Sequence, residues 1–347
     1  MRRDHHGPQV SLRQAFASRS AGSRSFCSEA EATMPPLIFN PTKIFHIAAV
    51  VRKLLLVLGA TAAMAFGTES GTTAFPNGGE DFLVAAMPPP GWYGIVYFNH
   101  YGAHRLVDDT GHMPLQSFDL AVDALTLRTD WVKPAAVLGA DRWGTLVVLP
   151  LLDISLDLAP IPGVSLHSSR RGPADLTIGN GLHWTLKHFE MVNALDVVVP
   201  TGSFDQSSLV NPGRNQWVVR LNHMGTWTPQ PSWEISYRLH WDDNFENADT
   251  HYHSGQTVYL NWAVGWKPTP TTTVGLAGFF LRQVTDDRQS GNIVVPAGNR
   301  LRVDGIGPVV KYIGPHGVML TAKYFRDFAV RNHPQGEQFW FYVAFPF

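Results

Sequence analysis

EQFWFYVAFPF, Glu337–Phe347, ends the chain, and its alternation decides the fold. Side chains along a strand point to opposite faces in turn, so Phe339, Phe341, Val343, Phe345 and Phe347 share one face. Gln338, Trp340, Tyr342, Ala344 and Pro346 share the other. A soluble sandwich would bury the apolar face in a core. A membrane barrel turns it to lipid and gives the mixed face to the lumen. A strand of this kind that stops on Phe is expected as the closing strand of a transmembrane β-barrel, and the rest of the sequence supplies its partners.

Charged residues make up 16% of the 347, against roughly a quarter in soluble domains, while Trp (11), Phe (20) and Gly (31) are abundant. Low charge with many aromatics suits a barrel with interfacial girdles, and an all-β chain of this length is commonly one domain. Outside the leader no run of about 20 apolar residues would cross a bilayer as a helix, so a membrane-bound chain must cross as strands. The leader is expected at 51–65. Arg52 and Lys53 precede an apolar run from Leu54 to Phe66, and Ala63, Met64 and Ala65 form an A-x-A cleavage site. Residues 1–42 are polar, rich in His and Arg, and without helix or strand period, so 1–50 are expected to be an untranslated or non-native extension with the true start near Val50 or Val51. Peptides from residues 1–45 in a mass spectrum would refute that start.

The single cysteine, Cys27, lies in this extension, so the exported chain holds no disulfide framework. Past residue 65 it carries 19 Lys and Arg against 25 Asp and Glu, a net charge of −6, which gives no reason to expect nucleic-acid binding.

Residues 66–91 are rich in Gly, Pro and small polar side chains and read as a pre-barrel segment, with the barrel proper at 92–347. Twelve strand-like runs follow, near 92–106, 116–131, 143–156, 174–186, 188–200, 215–227, 232–242, 255–267, 271–285, 301–313, 317–328 and 337–347. Most reach the 9 to 11 or so residues that a tilted strand needs to span the membrane. Their connections alternate. Linkers at 107–115, 157–173, 201–214, 243–254, 286–300 and 329–336 are long and polar, whereas those at 187, 229–231, 268–270 and 314–316 are tight. Only 133–142 breaks the pattern, which otherwise predicts long extracellular loops and short periplasmic turns. SWEISYRLHWD sets Trp233, Ile235, Tyr237, Leu239 and Trp241 on one face and Glu234, Ser236, Arg238, His240 and Asp242 on the other, with aromatics placed for two interfacial belts. Open edges in hydrocarbon would leave backbone groups unpaired at several kcal/mol each, so the expectation is an all-β, closed antiparallel transmembrane barrel of about 12 strands. Twelve strands enclose a narrow lumen, part-filled by inward side chains and open to the pre-barrel segment if that segment turns inward.

Five stretches together resemble a known family. They are TESGTTAFPNGGEDFLVAAMPPPGWY at 68–93, ENADTHYHSGQTVYLNWAVGW at 246–266, QVTDD at 283–287, RVDGIGPVVKY at 302–312, and KYFRDFAVRNHPQGEQFWFYVAFPF at 323–347. The chain is similar to the outer-membrane barrels of the meta-pathway of phenol degradation, which are transporter-like. The resemblance implies residence in the bacterial outer membrane and passage or uptake of small hydrophobic or aromatic compounds. It carries over no catalytic residues.

A polar track inside the barrel could draw on Asp175, His183 and Lys187, on Arg220 and Asn222, and on Glu234, Arg238, His240 and Lys323. The same charges could instead pair across the lumen and hold the barrel shut, because buried charges need partners. The pre-barrel segment could plug the lumen or serve as a periplasmic lead-in. His100 and His104, or His251 and His253 with Asp249 or Asp243, form no fixed-spacing metal signature, so no metal or cofactor is expected. In HYHSG, His253 or His251 could activate Ser254 only if both met on one face. Strand geometry separates them, and no enzyme is expected. Phosphate-binding glycine motifs are absent, which leaves passive passage. The expected partners are membrane lipids, a hydrophobic solute, and the barrel-assembly machinery through the strand ending at Phe347. A non-transporting structural or ligand-sensing barrel is the alternative.

Overall fold

The computed structural model describes residues 68–295 and 297–347, so the extension, the leader and Cys27 fall outside the described residues. Sixteen strands follow in order: β1 Gly91–Val107, β2 Ser117–Pro134, β3 Arg142–Ala159, β4 Leu166–Pro173, β5 Leu176–Leu186, β6 Phe189–Val199, β7 Val218–Gln230, β8 Trp233–Asn244, β9 Tyr252–His253, β10 Thr257–Thr269, β11 Thr272–Gln283, β12 Arg288–Gln289, β13 Asn292–Ile293, β14 Arg302–Ile313, β15 Met319–Arg331 and β16 His333–Pro346. Twelve of them (β1, β2, β3, β5, β6, β7, β8, β10, β11, β14, β15 and β16) pair antiparallel with sequential neighbours into a ring. Terminal β16 closes it against β1 in continuous register from Tyr93 opposite Pro346 to Gly102 opposite Glu337. Both edges are thereby satisfied, as a strand protein in hydrocarbon requires.

The outer face follows the alternation of β16. Trp92, Trp131, Trp227, Trp233, Trp266 and Tyr312 stand exposed at the short-turn rim. Phe98, Trp217, Phe245, Phe328 and Phe339 are exposed nearer the loop end, and Leu, Val and Ile such as Leu127, Leu221 and Leu276 fill the band between. Two aromatic girdles around an aliphatic belt fit an outer-membrane barrel.

Two connections differ from expectation. The linker 329–336 is no long loop: β15 and β16 run on to a hairpin turned at Asn332, whose φ of 48° is the left-handed conformation that Asn tolerates. The fourth wall strand is split. β4 pairs with the upper part of β3 and β5 with the lower part, and Ala174 and Asp175 interrupt them. Loops 245–256 and 284–301 meet in a small sheet of β9, β12 and β13.

Above the aliphatic belt, the outward faces of β1 to β4 turn polar. His100 pairs with Asp123, His104 with Asp119, His167 with Asp157, and Arg171 with Asp153. The inward positions there become apolar, and Phe118, Ile154, Leu156 and Leu158 cluster with Val210 of the 200–217 loop.

Candidate functional site: a threaded lumen

Residues 68–90 hydrogen-bond along the inner wall from the loop end to the turn end. At the loop end the Thr68 amide donates to Asp287 at 3.0 Å and the Glu69 amide to the Ser254 hydroxyl at 3.1 Å. The Glu69 carboxylate accepts from Asn247 at 2.9 Å and Thr250 at 2.6 Å. Asp287 also accepts from Tyr252 at 2.6 Å and from the Gly255 amide at 2.6 Å. Burial pushes its carboxyl up to about 6, against the lowering effect of these donors.

Midway, Phe75 lies edge-on to His240 (4.7 Å between ring centroids) and to Tyr259 (5.8 Å). The guanidinium carbons of Arg238 and Arg220 stand 4.5 Å and 5.1 Å from its ring centre, within cation–π range. Glu80 pairs with Arg238, which also reaches Asp196 at 3.2 Å. Asp81 is held from three sides, by Lys311 at 3.0 Å, Lys323 at 2.9 Å and the Tyr342 hydroxyl at 2.9 Å. Burial alone would raise the Asp81 carboxyl, but the two ammonium groups outweigh it and hold the carboxyl well below the usual range. Toward the turn end, Ser236 accepts the Leu83 amide at 3.1 Å, Glu234 accepts the same amide, and Thr226 accepts the Ala85 amide at 3.1 Å. Arg142 donates to the Met87 carbonyl at 2.6 Å.

The predicted lumen residues thus divide. Glu234, Arg238 and Lys323 bind the threaded segment directly, while His240 packs on Phe75 and stacks on Tyr259 at 4.6 Å. Arg220 forms a fork on Asp242 at 2.7 and 2.9 Å, and Asn222 accepts from Arg238. Asp175 sits in the strand break, accepting the amides of Gly202 and Arg214 at 2.9 and 2.7 Å. His183 is buried in the wall apart from the cavity, with Glu190 4.0 Å away. Lys187 is exposed in the β5–β6 turn and does not face the lumen, because the strand ends at Leu186. The i, i+2 spacing of His251 and His253 would put both on one strand face, but the structure does not. His251 lies in a turn with φ of 55° and pairs with Glu246, whereas His253 belongs to β9. Among the described residues no group of His, Cys, Asp or Glu is arranged to hold a metal ion. The Ser254 hydroxyl anchors Glu69.

Alternation along the strand from Gln256 puts Tyr259 inward, where the structure has it, but sequence reading missed Asp81 and Lys311, although alternation from Lys323 across the neighbouring strand would have placed Lys311 inward. It also missed the character of the opposite wall. A cavity of about 340 Å³ runs beside the segment, lined on the far side by Leu120, Val122, Leu146, Val148, Leu152 and Ile154 of β2 and β3. Its near side holds residues 71–80 with Arg214, Arg220 and Arg238. The cavity is therefore off-centre, with an apolar stretch of β2 and β3, interrupted by Thr126 and Arg128, facing a charged wall.

Known structures share this architecture. An outer membrane channel from Pseudomonas putida F1 aligns with a TM-score of 0.67 at 17% identity, covering 76% of this chain and 97% of that one. The beta domain of the Bordetella autotransporter Brka aligns at 0.46 and 12% identity, over 74% of this chain and 99% of that one. No curated protein sequence matches. Ring closure, the aromatic girdles and the likeness to the Pseudomonas putida channel place the barrel in the bacterial outer membrane. The family model described as "Putative MetA-pathway of phenol degradation" matches residues 103–343, and the chain belongs to that family.

Proposed function

We propose that this barrel admits small hydrophobic, including aromatic, compounds across the outer membrane along the apolar wall of β2 and β3, with residues 68–90 forming the constriction. The observation that carries this reading is the apolar inner face itself. Channel interiors in such barrels are usually polar, and burying Leu120, Val122, Leu152 and Ile154 toward a cavity leaves a surface that water wets poorly and an aryl or alkyl group fits. The family description and the likeness to an outer membrane channel agree with passage. The terminal strand, whose Phe347 is exposed at the rim, serves in the same reading as the contact for barrel assembly.

The test is flux into liposomes holding the barrel, with benzyl alcohol and glucose as probes. Benzyl alcohol should enter faster than through empty vesicles, and Leu152→Asp should slow it about tenfold while leaving glucose entry unchanged, since a charge is costly to an apolar solute's path. Binding of benzyl alcohol with no flux above empty vesicles would instead favour a sensing barrel.

A further inference from the structure

Three arginines share the cavity with the apolar wall beyond Arg128, and two of them are saturated. Arg220 sets its Nε and Nη2 on the two oxygens of Asp242, and Arg238 is shared among Glu80, Asp196 and Asn222. Arg128 lies on Asp130 at 3.0 Å. Arg214 differs. Its backbone amide is taken by Asp175 and its carbonyl by Asn247, but the side chain makes only a 3.5 Å contact from Nη1 to Asn244. Nε and Nη2 make no hydrogen bond and are closed to solvent, so a ligand reaches them when the side chain turns toward the cavity that Arg214 lines.

These two nitrogens form the edge of a guanidinium that grips a carboxylate in a fork, the edge that Arg220 uses on Asp242 and Arg171 on Asp153. Asp175, Glu69 and Asp242 offset the charge of Arg214 at a distance without occupying that edge. Burial also pulls the guanidinium pKa down, which shows that the position is costly for an unpaired cation. Buried donors left unsatisfied are costly, so the arrangement favours an incoming acceptor. Leu209, Val210 and Pro212 lie on the same loop and line the same cavity, continuous with the apolar wall.

We infer that Arg214 is the head-group site for an organic carboxylate with an apolar or aromatic body, held in a fork on Nε and Nη2 while the body lies on the β2–β3 wall. This rests on the passage reading above and narrows its solute class to amphipathic acids. The head group enters where the loop brings Arg214 to the cavity, and neutral aromatics use the wall alone.

The experiment compares sodium benzoate with benzyl alcohol, by calorimetric binding to the full barrel in detergent and by flux in liposomes. Benzoate should bind saturably. Arg214→Gln should weaken benzoate about tenfold with benzyl alcohol unchanged, the value of one charge-assisted hydrogen bond. Arg214→Lys, which keeps the charge but loses the planar fork, should recover only part of the affinity. Strand circular dichroism confirms that each variant is folded. Equal benzoate binding by wild type and Arg214→Gln, or full recovery by Arg214→Lys, overturns the fork. If neither solute crosses yet benzoate binding still depends on Arg214, the site stands and the passage reading falls.

Discussion

Asp287 holds the loop end of the threaded segment and Asp81 its middle, and they answer to pH in opposite ways. The Asp81 carboxyl is depressed by Lys311 and Lys323. A depressed carboxyl supports the folded state above its ordinary pKa and gives up that support only as pH falls through the depressed value. The inner clamp should therefore be equally firm at pH 4.5 and pH 7. Asp287 is raised to about 6 from 3.8 by burial. A raised carboxyl contributes fully below its ordinary pKa and loses that contribution as pH rises through the folded value. The loop end should be held more firmly at pH 4.5 than at pH 7. Hydrogen exchange, corrected for the intrinsic rate, should show protection at Thr68–Thr73 falling over that rise while Gly79–Ala85 stays constant, and Asp287→Asn should shrink the difference to the part left by Glu69, whose carboxyl burial also raises. Asp81→Asn removes one partner from two buried ammonium groups, a loss of about 3–5 kcal/mol where such pairs are dry. It should raise single-channel conductance at neutral pH; unchanged conductance would show that the segment is held without it.

At the scale of elements, the closing strand was legible because each face of it carries one kind of side chain, and so were β8 and β10. β2 and β3 were harder to read. Leu125 and Leu127 face outward while Val122 and Ala124 face inward, so the period of two that marks a lumen is erased where the lumen itself is apolar. The split wall strand was hidden for a related reason: Asp175 looks like one more polar inward residue, and only its two backbone acceptances from Gly202 and Arg214 show that the chain breaks there. The hairpin at Asn332 was read as a loop because Asn, His, Pro and Gly commonly mark one. Loop 200–217 seats Val210 and Arg214 through a crossing of Gly202 and Gly213, so close that a Cβ added at Gly213 would lie 2.6 Å from the Gly202 carbonyl carbon. Backbone on both sides cannot yield as a side chain would. Gly213→Val should therefore displace the loop, expose it to limited proteolysis and weaken benzoate binding with the ring intact. A loop still resistant to protease would show that the crossing is dispensable.

At the scale of the whole molecule, the barrel is a ring of strands whose inner wall is completed by its own leading segment. Glu234, Ser236, Thr226, Lys311 and Lys323 all spend hydrogen bonds on residues 79–85. Without that segment they would line an open lumen and be solvated by water, which repays much of the lost bonding in a space wide enough to admit it. The lipid-facing belt and the backbone ladder between β1 and β16 are made without the segment, which meets those two strands only through side chains such as Tyr93 and Tyr342. Deleting Thr68–Pro88 should therefore leave a closed barrel with a lower melting temperature, and its conductance should rise severalfold as the constriction is removed. Discrimination should fall with it. Benzyl alcohol and glucose should pass at more nearly equal rates once the path is no longer confined to the apolar wall, as liposome flux of both probes would show. A deletion variant that keeps the wild-type preference would place the selective surface in the ring alone and leave the segment a structural filler.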